Sequence, residues 1–349
     1  IDRMRTESNE IPEDPFIVLP NNFGSSHEIN NVNNLPFENA VNALTPAMQG
    51  VDFVGVWVSG KIFRGNANSL GQKHWFETDS FCLDYSLVAP SHQMVKGCYA
   101  GNDWNQAEYE KYVESSKAKL EIMNRKPIKV NTGEYKTWFE AAAVADFLGM
   151  FSWNGISEAS LRQGCSGFGR MRHEDIRLSS KFSISEDFSP GFCPKFNSNG
   201  EVSNESLSLI KEGKLMNTLV SSRSAKEYNL ESNFAETGEY LRSPKMNPGN
   251  IKHDEVLKEL GKGLYLSNIH YLNWSDNPGG RITGLTRYAC FWVEQGEIVA
   301  PIDTMRFDDS FYRFFGDQLM EVENKLTVIP ETSTYGKRSL GAVTCPGIL

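Results

Sequence analysis

Residues 263–302 read GLYLSNIHYLNWSDNPGGRITGLTRYACFWVEQGEIVAPI, and this stretch decides the fold class of the chain. Three runs rich in β-branched and aromatic residues are separated by SDNPGG and EQGE, whose Gly, Asn and Asp residues are typical of turns. The pattern predicts three antiparallel strands joined by two short turns. The sequence SLSLIKEGKLMNTLV, residues 206–220, predicts two further short strands around a turn that contains Gly213.

The first third of the chain predicts both helices and strands. Residues 36–49 have the spacing of an amphipathic helix, and residues 51–88 alternate apolar and polar positions in three runs, which predicts an antiparallel meander. Another helix, capped by Asp103, is predicted to end before Pro127. In the last run of the meander one face carries Phe81, Leu83, Tyr85 and Leu87, and the other carries Cys82, Asp84, Ser86 and Val88.

An apolar run within residues 135–163 predicts one long central helix. A last helix near residues 308–323 and two terminal strands complete the pattern, so the fold class is α+β with mostly antiparallel sheet. We divide the chain into a partial N-terminal and middle α+β region with a truncated start, residues 1–134, and a C-terminal antiparallel β-rich domain, residues 135–349. The side chains of the central helix expected to pack on the sheets are Trp138, Phe139, Ala142, Phe147, Leu148 and Phe151.

Composition excludes several classes of protein. The 349 residues carry 44 acidic and 35 basic side chains, a net charge of −9, and no Lys/Arg cluster longer than a pair, so a nucleic-acid partner is not expected. The mean hydropathy of −0.42, with no apolar run near the roughly 18 residues that a bilayer span needs, argues against a membrane segment. Six widely spaced cysteines without a CxxC motif favour free thiols and a cytoplasmic location.

Motifs that suggest catalysis are weak in this sequence. The Gly pairs in SGFGR and NPGG do not lead from a strand into a helix, so turns are favoured over a phosphate site. His173, Glu174 and Asp175 are adjacent, and neighbours on a regular element point apart, so a solvated charged face is favoured over a metal site. Nothing in the sequence pairs Cys165 with His173 as a nucleophile and its base. His270 lies among aromatic residues, where a hydrogen-bonded structural histidine is favoured over a ligand.

Four segments together resemble the TldD/PmbA family of peptidase subunits, and the similarity covers most of residues 135–320. They are GISEASLRQGCSGFG at 155–169, LSSKFSISEDF at 178–188, ESLSLIKEGKLMNTLVSSRSAKEY at 205–228 and the three-strand stretch at 263–302. The resemblance implies an α/β region followed by a large antiparallel domain. It also implies that the central helix of a TldD-type subunit carries His-Glu-x-x-x-His, with two zinc-binding histidines and a glutamate base, and that a later cysteine completes the site.

Aligned with that motif, this chain has Ser157, Glu158 and Arg162, so only the glutamate remains. Serine is a poor zinc ligand at neutral pH, and the guanidinium of Arg162 repels a dication. The loop aligned with the cysteine, residues 328–339, contains none, and Cys345 lies beyond it. The resemblance therefore implies a PmbA (TldE)-type subunit whose motif is vestigial, with no catalytic, cofactor-binding or metal-binding residue of its own.

By this resemblance the chain is a non-catalytic subunit of a zinc metallopeptidase complex that acts on unfolded or extended peptides. Zinc is expected only in a TldD-type partner, and the assembly is either with that partner or a homodimer. The family's older description as a modulator of DNA gyrase finds no support in the acidic composition. Two alternatives remain open: a self-assembled binding or scaffold protein without peptidase activity, and an independent hydrolase that uses Glu158.

Overall fold

The structure is a computed structural model that describes residues 1–20, 24–30, 32–332 and 338–349. It has the predicted α+β class: the strands form three sheets, and antiparallel pairing dominates each of them. Within the described residues, none of the helices is both long enough and apolar enough to cross a membrane. A short helix, α1 (Asp2–Ser8), opens the chain.

The first sheet contains β1 (Ser25–Asn30), β2 (Asp52–Ala67), β3 (Lys73–Val88) and β4 (Met94–Gly101). Strand β3 pairs antiparallel with β2 along its whole length, and its other edge pairs with β1 in parallel and with β4 in antiparallel. The prediction of three runs within residues 51–88 is wrong, because that stretch forms two strands of sixteen residues each. The alternation continues through Ala67, and the chain turns only after it.

Two helices pack on this sheet, α2 (Phe37–Met48) and α3 (Gln106–Met123), as predicted. The cap of α3 is Asn105 and not Asp103: the Asn105 side chain accepts a hydrogen bond from the backbone N–H of Glu108. An N-cap side chain must directly precede the first turn to reach that N–H, and Asp103 lies two residues too early. The four side chains assigned to the Phe81 face of β3 are all buried, and Cys82 on the opposite face is buried as well.

The second sheet is built on the hairpin of β10 (Gly263–Asp276) and β11 (Arg281–Glu294). Strands β12 (Glu297–Pro301) and β13 (Arg306–Ser310) both pair antiparallel with β11, and β5 (Thr137–Phe139) pairs in parallel with β10. The three strands predicted for residues 263–302 are therefore confirmed.

The third sheet has the strand order β14-β15-β9-β6-β7-β8. It includes the two strands predicted around Gly213 and the two terminal strands. Its members are β6 (Ile184–Asp187), β7 (Ser206–Lys211), β8 (Lys214–Leu215), β9 (Pro244–Met246), β14 (Thr327–Pro330) and β15 (Ala342–Cys345).

The single central helix predicted for residues 135–163 is wrong. After β5 the chain forms α4 (Ala141–Met150), turns, and then forms the short helix α5 (Glu158–Arg162). Two features of the turn after α4 separate it from α5: Asn154 adopts the left-handed conformation with φ of 57°, and a Cβ on Gly155 would meet the Phe151 carbonyl oxygen at 2.5 Å. The remaining short helices are α6 (Gly169–His173), α7 (Ser222–Tyr228) and α8 (Val256–Leu260).

The predicted last helix at residues 308–323 is also wrong in extent. Residues up to Ser310 belong to β13, and the helical part that follows contains a π-helical segment, Arg313–Asp317. Gly316 has φ of −99° and ψ of −123°, which is not helical, so the helix cannot continue.

Two hydrophobic cores lie against the second sheet. One contains Phe147, Ile269 and Ile282, with α4 and the third sheet; the other joins the first sheet and α3 to Trp138 and Phe291. Because β10 and β11 contribute to both cores, part of each of their two faces is covered within this chain, while Tyr271 and Arg287 stay exposed. The side chains predicted to pack on the sheets are buried, apart from Ala142, which is half-buried. The division at residue 134 stays a prediction.

Candidate functional site: a charged cleft beside a buried glutamate

Ser157 occupies the N-cap of α5 and is engaged in the protein interior. Its Oγ accepts a hydrogen bond from the Ser160 N–H at 3.1 Å and donates one to Oε2 of Glu239 at 2.6 Å. The Glu239 carboxylate also accepts from the backbone N–H groups of Ala159 and Ser221. Ser157 is therefore part of a structural network that begins the helix.

Glu158 is 2% exposed and is surrounded by donors. Its carboxylate accepts hydrogen bonds from Arg162 Nε at 2.9 Å, from an Arg172 guanidinium nitrogen at 3.0 Å and from Thr218 Oγ1 at 2.5 Å. Burial by itself would raise the pKa of Glu158, but hydrogen bonds from Arg172, Thr218 and Arg162 outweigh it, and the net pKa lies below the usual glutamate value. The carboxylate is held ionised and is a weak base.

Zinc does not fit these three positions. Glu158 is neutralised by two guanidinium groups, Ser157 is committed to Glu239, and Arg162 places a positive charge where a ligand would be needed. Across residues 1–20, 24–30, 32–332 and 338–349, no group of three or more His, Cys, Asp or Glu side chains is placed to hold a metal ion. Part of the loop that aligns with the cysteine of TldD-type subunits, residues 333–337, lies outside the described residues. Cys345 is buried and donates to the Ala141 carbonyl oxygen.

A cleft of about 1080 Å³ opens beside α4, and none of Ser157, Glu158 and Arg162 lines it. The C-terminal half of α4 contributes Ala145, Asp146 and Gly149, which recur at helical spacing on one side of the helix. The other walls come from residues 193–194, 196–198, 240–242, 269–272, 329–331 and 339–343, together with Arg64, Ser152, Trp153, Glu236, Pro244 and Arg287.

The positive charge of Arg287 acts on two other ionisable groups of the cleft, Asp146 and His270. The Asp146 side chain is exposed to the cleft, and partial desolvation by the surrounding protein raises the pKa of Asp146 to about 7. The positive charge of Arg287 opposes that shift. Burial and Arg287 both lower the pKa of His270, so its imidazole is neutral at pH 7.

Two other charged side chains of the cleft, Arg242 and Glu236, have structural partners. Arg242 donates to the carbonyl oxygens of Pro194, Lys195 and Phe196, and Glu236 accepts from the N–H and hydroxyl of Ser198. These bonds shape the wall of the cleft.

His270 departs from the expected structural role. Its Nδ1 atom is buried and has no hydrogen-bond partner among the residues that the structure describes. The ring contacts Tyr271, whose backbone is left-handed with φ of 51°, at a bulge between His270 and Asn273 in the pairing of β10 with β11. His270 is thus placed in the cleft by an irregular part of the strand.

The other sequence candidates behave as ordinary surface groups. Glu174 pairs with Arg170 and Asp175 with Arg177, so the charged stretch around His173 is a set of exposed ion pairs, as favoured from the sequence. Cys165 is exposed, and its thiol donates to the Gln163 carbonyl oxygen. Sequence reasoning missed Asp146 and Arg287; the available signal was a single carboxylate inside the apolar run AAAVADFLGM.

The chain is similar to known proteins mainly in its fold. The structure of TldE from Thermococcus kodakarensis superposes with a TM-score of 0.75 at 17% identity, over 99% of this chain and 81% of that chain. A proposed DNA gyrase modulator from Bacteroides thetaiotaomicron gives a TM-score of 0.73 at 14% identity, over 98% and 80% of the two chains. A similarly described protein from Thermotoga maritima gives a TM-score of 0.70 at 15% identity, over 90% of this chain and 73% of that chain.

No curated protein matches the sequence. The model of the PmbA/TldA metallopeptidase C-terminal domain matches residues 132–349, which is more than half of the chain. These residues include the second and third sheets and the whole of α4 and α5. The chain therefore belongs to the PmbA/TldD family of metallopeptidase-like proteins.

Proposed function

We propose that this chain is a non-catalytic, PmbA/TldE-type subunit of a TldD/TldE-like zinc metallopeptidase complex that acts on unfolded or extended peptides. In this proposal the zinc and the catalytic glutamate belong to a TldD-type partner, and this chain supplies part of the chamber that receives the peptide. The complex is placed in the cytoplasm, which fits six cysteines that are all free thiols.

The state of Glu158 is the observation that carries the proposal. A general base in a zinc peptidase must accept a proton from the attacking water, so it needs a pKa near the working pH and a free lone pair. Glu158 has the opposite properties, because two arginines and Thr218 occupy its oxygens and its pKa is lowered. The same contacts count against an independent hydrolase that uses Glu158.

The metal content of the purified chain tests the proposal. Elemental analysis of the untagged protein is expected to find no stoichiometric zinc, because a tightly held catalytic zinc needs about three protein ligands. About one tightly held zinc per chain, lost when His173 or His270 is replaced by alanine, would contradict the proposal. His253→Ala is the matched control, since His253 pairs with Glu323 and does not line the cleft.

A further inference from the structure

Arg287, like Arg64, has an exposed side chain in the cleft, and the positive charge of Arg287 lowers the pKa of both Asp146 and His270. Its side chain is exposed, and no ion pair or hydrogen bond to it occurs within the described part of the chain. The ring of Tyr288 lies 4.6 Å from the guanidinium carbon, a cation–π contact that limits where the group can point. A guanidinium with free N–H donors in a cleft is the usual partner of a carboxylate.

The surroundings of Arg287 favour an anionic group of a ligand. The pairing of Asn268 with Arg287 and of His270 with Leu285 places Arg287 and His270 on neighbouring strands, and both line the same cleft as Asp146. Near neutral pH the neutral imidazole of His270 adds no charge. The pKa of Asp146, raised to about 7 by desolvation, leaves part of its carboxyl protonated near neutral pH, so Asp146 does not neutralise Arg287 completely.

The size and lining of the cleft favour a peptide over a small anion. A volume of about 1080 Å³ is at the upper end of pockets that bind drug-sized molecules. Trp153 and Tyr271 line it and are 54% and 79% exposed, and such rings offer apolar area to a peptide.

We propose that this cleft binds the free C-terminal carboxylate of a peptide, and that the Arg287 guanidinium pairs with it beside Asp146 and His270. The choice of a peptide rests on the proposed function, whereas the carboxylate site rests on the geometry of this chain alone. The remaining charged groups that line the cleft are Arg64, Glu236, Arg242 and Glu331.

Calorimetric titration of this chain without any partner tests the site. The probes are N-acetyl-trialanine and its C-terminal amide, which differ only in the carboxylate, at pH 6. The free acid is expected to bind roughly tenfold or more tightly than the amide, because a charge-assisted Arg–carboxylate pair discriminates by at least that factor. Arg287→Gln should remove the difference, while Arg281→Gln, on the same strand but outside the cleft, should preserve it.

Two further variants test the assignment. Arg64→Gln tests whether the other exposed arginine of the cleft binds the carboxylate, and Asp146→Asn tests the effect of the Asp146 charge. At pH 8, where Asp146 is mostly ionised, Asp146→Asn should tighten binding of the free acid, because the substitution removes a competing negative charge. If Arg64→Gln removed the difference in affinity between the free acid and the amide and Arg287→Gln did not, Arg287 would not be the residue that binds the carboxylate.

Three other results would also overturn the proposal: equal affinity for acid and amide, competition by acetate at the same concentration as the tripeptide, or no binding of either probe. Thermal unfolding of each variant shows whether it is folded before its titration is read. Because no TldD-type chain is present, these outcomes are independent of whether the chain is a peptidase subunit.

Discussion

Glu158 shows how a residue that resembles a catalytic group can serve structure. Its carboxylate accepts hydrogen bonds from Arg162 of α5, from Arg172 of α6 and from Thr218, which follows β8. These bonds connect the three segments in the protein interior. The side chains of Arg162 and Arg172 are 43% and 37% exposed, so solvent screens their attraction to the Glu158 carboxylate on one side. The contribution to stability is therefore below the roughly 3–5 kcal/mol that breaking a wholly buried pair costs.

We predict that Glu158→Gln lowers the free energy of unfolding at pH 7 by about 2 kcal/mol, because the amide leaves Arg162 and Arg172 without their counter-charge. The lowered pKa of Glu158 means that its stabilisation is fully present above the unfolded pKa of roughly 4.3 and is lost as the pH falls through the lower folded pKa. Chemical denaturation of both proteins at pH 7 and at acid pH measures this dependence.

The same variant has a second readout in a reconstituted complex with a TldD-type chain. Peptidase activity should remain within a few fold, far from the roughly 100-fold or greater loss that follows removal of a general acid or base. Glu174→Gln, which breaks only an exposed ion pair, is the control. A loss of that size with assembly intact would make Glu158 a working catalytic residue.

For single residues, the sequence predicts which side chains can ligate zinc better than it predicts which side chains lie close together. Residue type alone explains why Ser157 and Arg162 cannot ligate zinc. It could not predict that Asp146 and Arg287, 141 positions apart in the chain (287 − 146), line one cleft, because their proximity depends on α4 packing against the second sheet.

Among the elements, the turn between β7 and β8 shows how a single glycine fixes a hairpin. Gly213 has φ of 76°, and a Cβ there would meet the Leu178 carbonyl oxygen at 2.1 Å. The Gly213 N–H also donates to Phe182, so the turn is fastened to the chain segment before β6. Both the backbone conformation and the contact require glycine.

We predict that Gly213→Ala lowers the free energy of unfolding by about 2–3 kcal/mol, since a left-handed alanine and a backbone clash are both introduced. Gly71→Ala is the matched control, because Gly71 has φ of 92° but open space where its Cβ would lie. The control should cost about 1 kcal/mol from the backbone conformation alone. Equal losses in the two variants, measured by denaturant titration, would show that the contact with Leu178 is unimportant.

The hairpin strands of the C-terminal half and the helices α2 and α3 were predictable from the sequence, whereas the extents of α4 and of the last helix were not. Alternation and turn residues define β7, β8, β10, β11 and β12 locally. The break after α4 depends on the left-handed Asn154 and on the close approach of Gly155 to Phe151, which an apolar run does not reveal. Similarly, β5 is extended because it pairs with β10, a partner more than a hundred residues away.

For the whole molecule, the two hydrophobic cores weaken the sequence argument that a second subunit covers the second sheet. From the sequence, Tyr288, Phe291, Trp292 and Ile298 exceed what one buried sheet face requires, which predicts a covering subunit. In the structure Phe291 is fully buried, and Trp292 and Ile298 pack against the two cores of this chain. Tyr288 is half-buried and belongs to neither core, so it is the one of the four that is not packed in a core of this chain. The expectation of a partner now rests mainly on the family to which the chain belongs.

Sedimentation velocity of the full-length protein at micromolar concentration, alone and mixed with a zinc-loaded TldD-type chain, tests the subunit role most directly. We predict a new, faster-sedimenting species that contains both chains, since a stable interface buries at least roughly 1,000 Å² in total. A mixture that sediments as the sum of its separate components would contradict the account, whether this chain remains a monomer or forms only a homodimer.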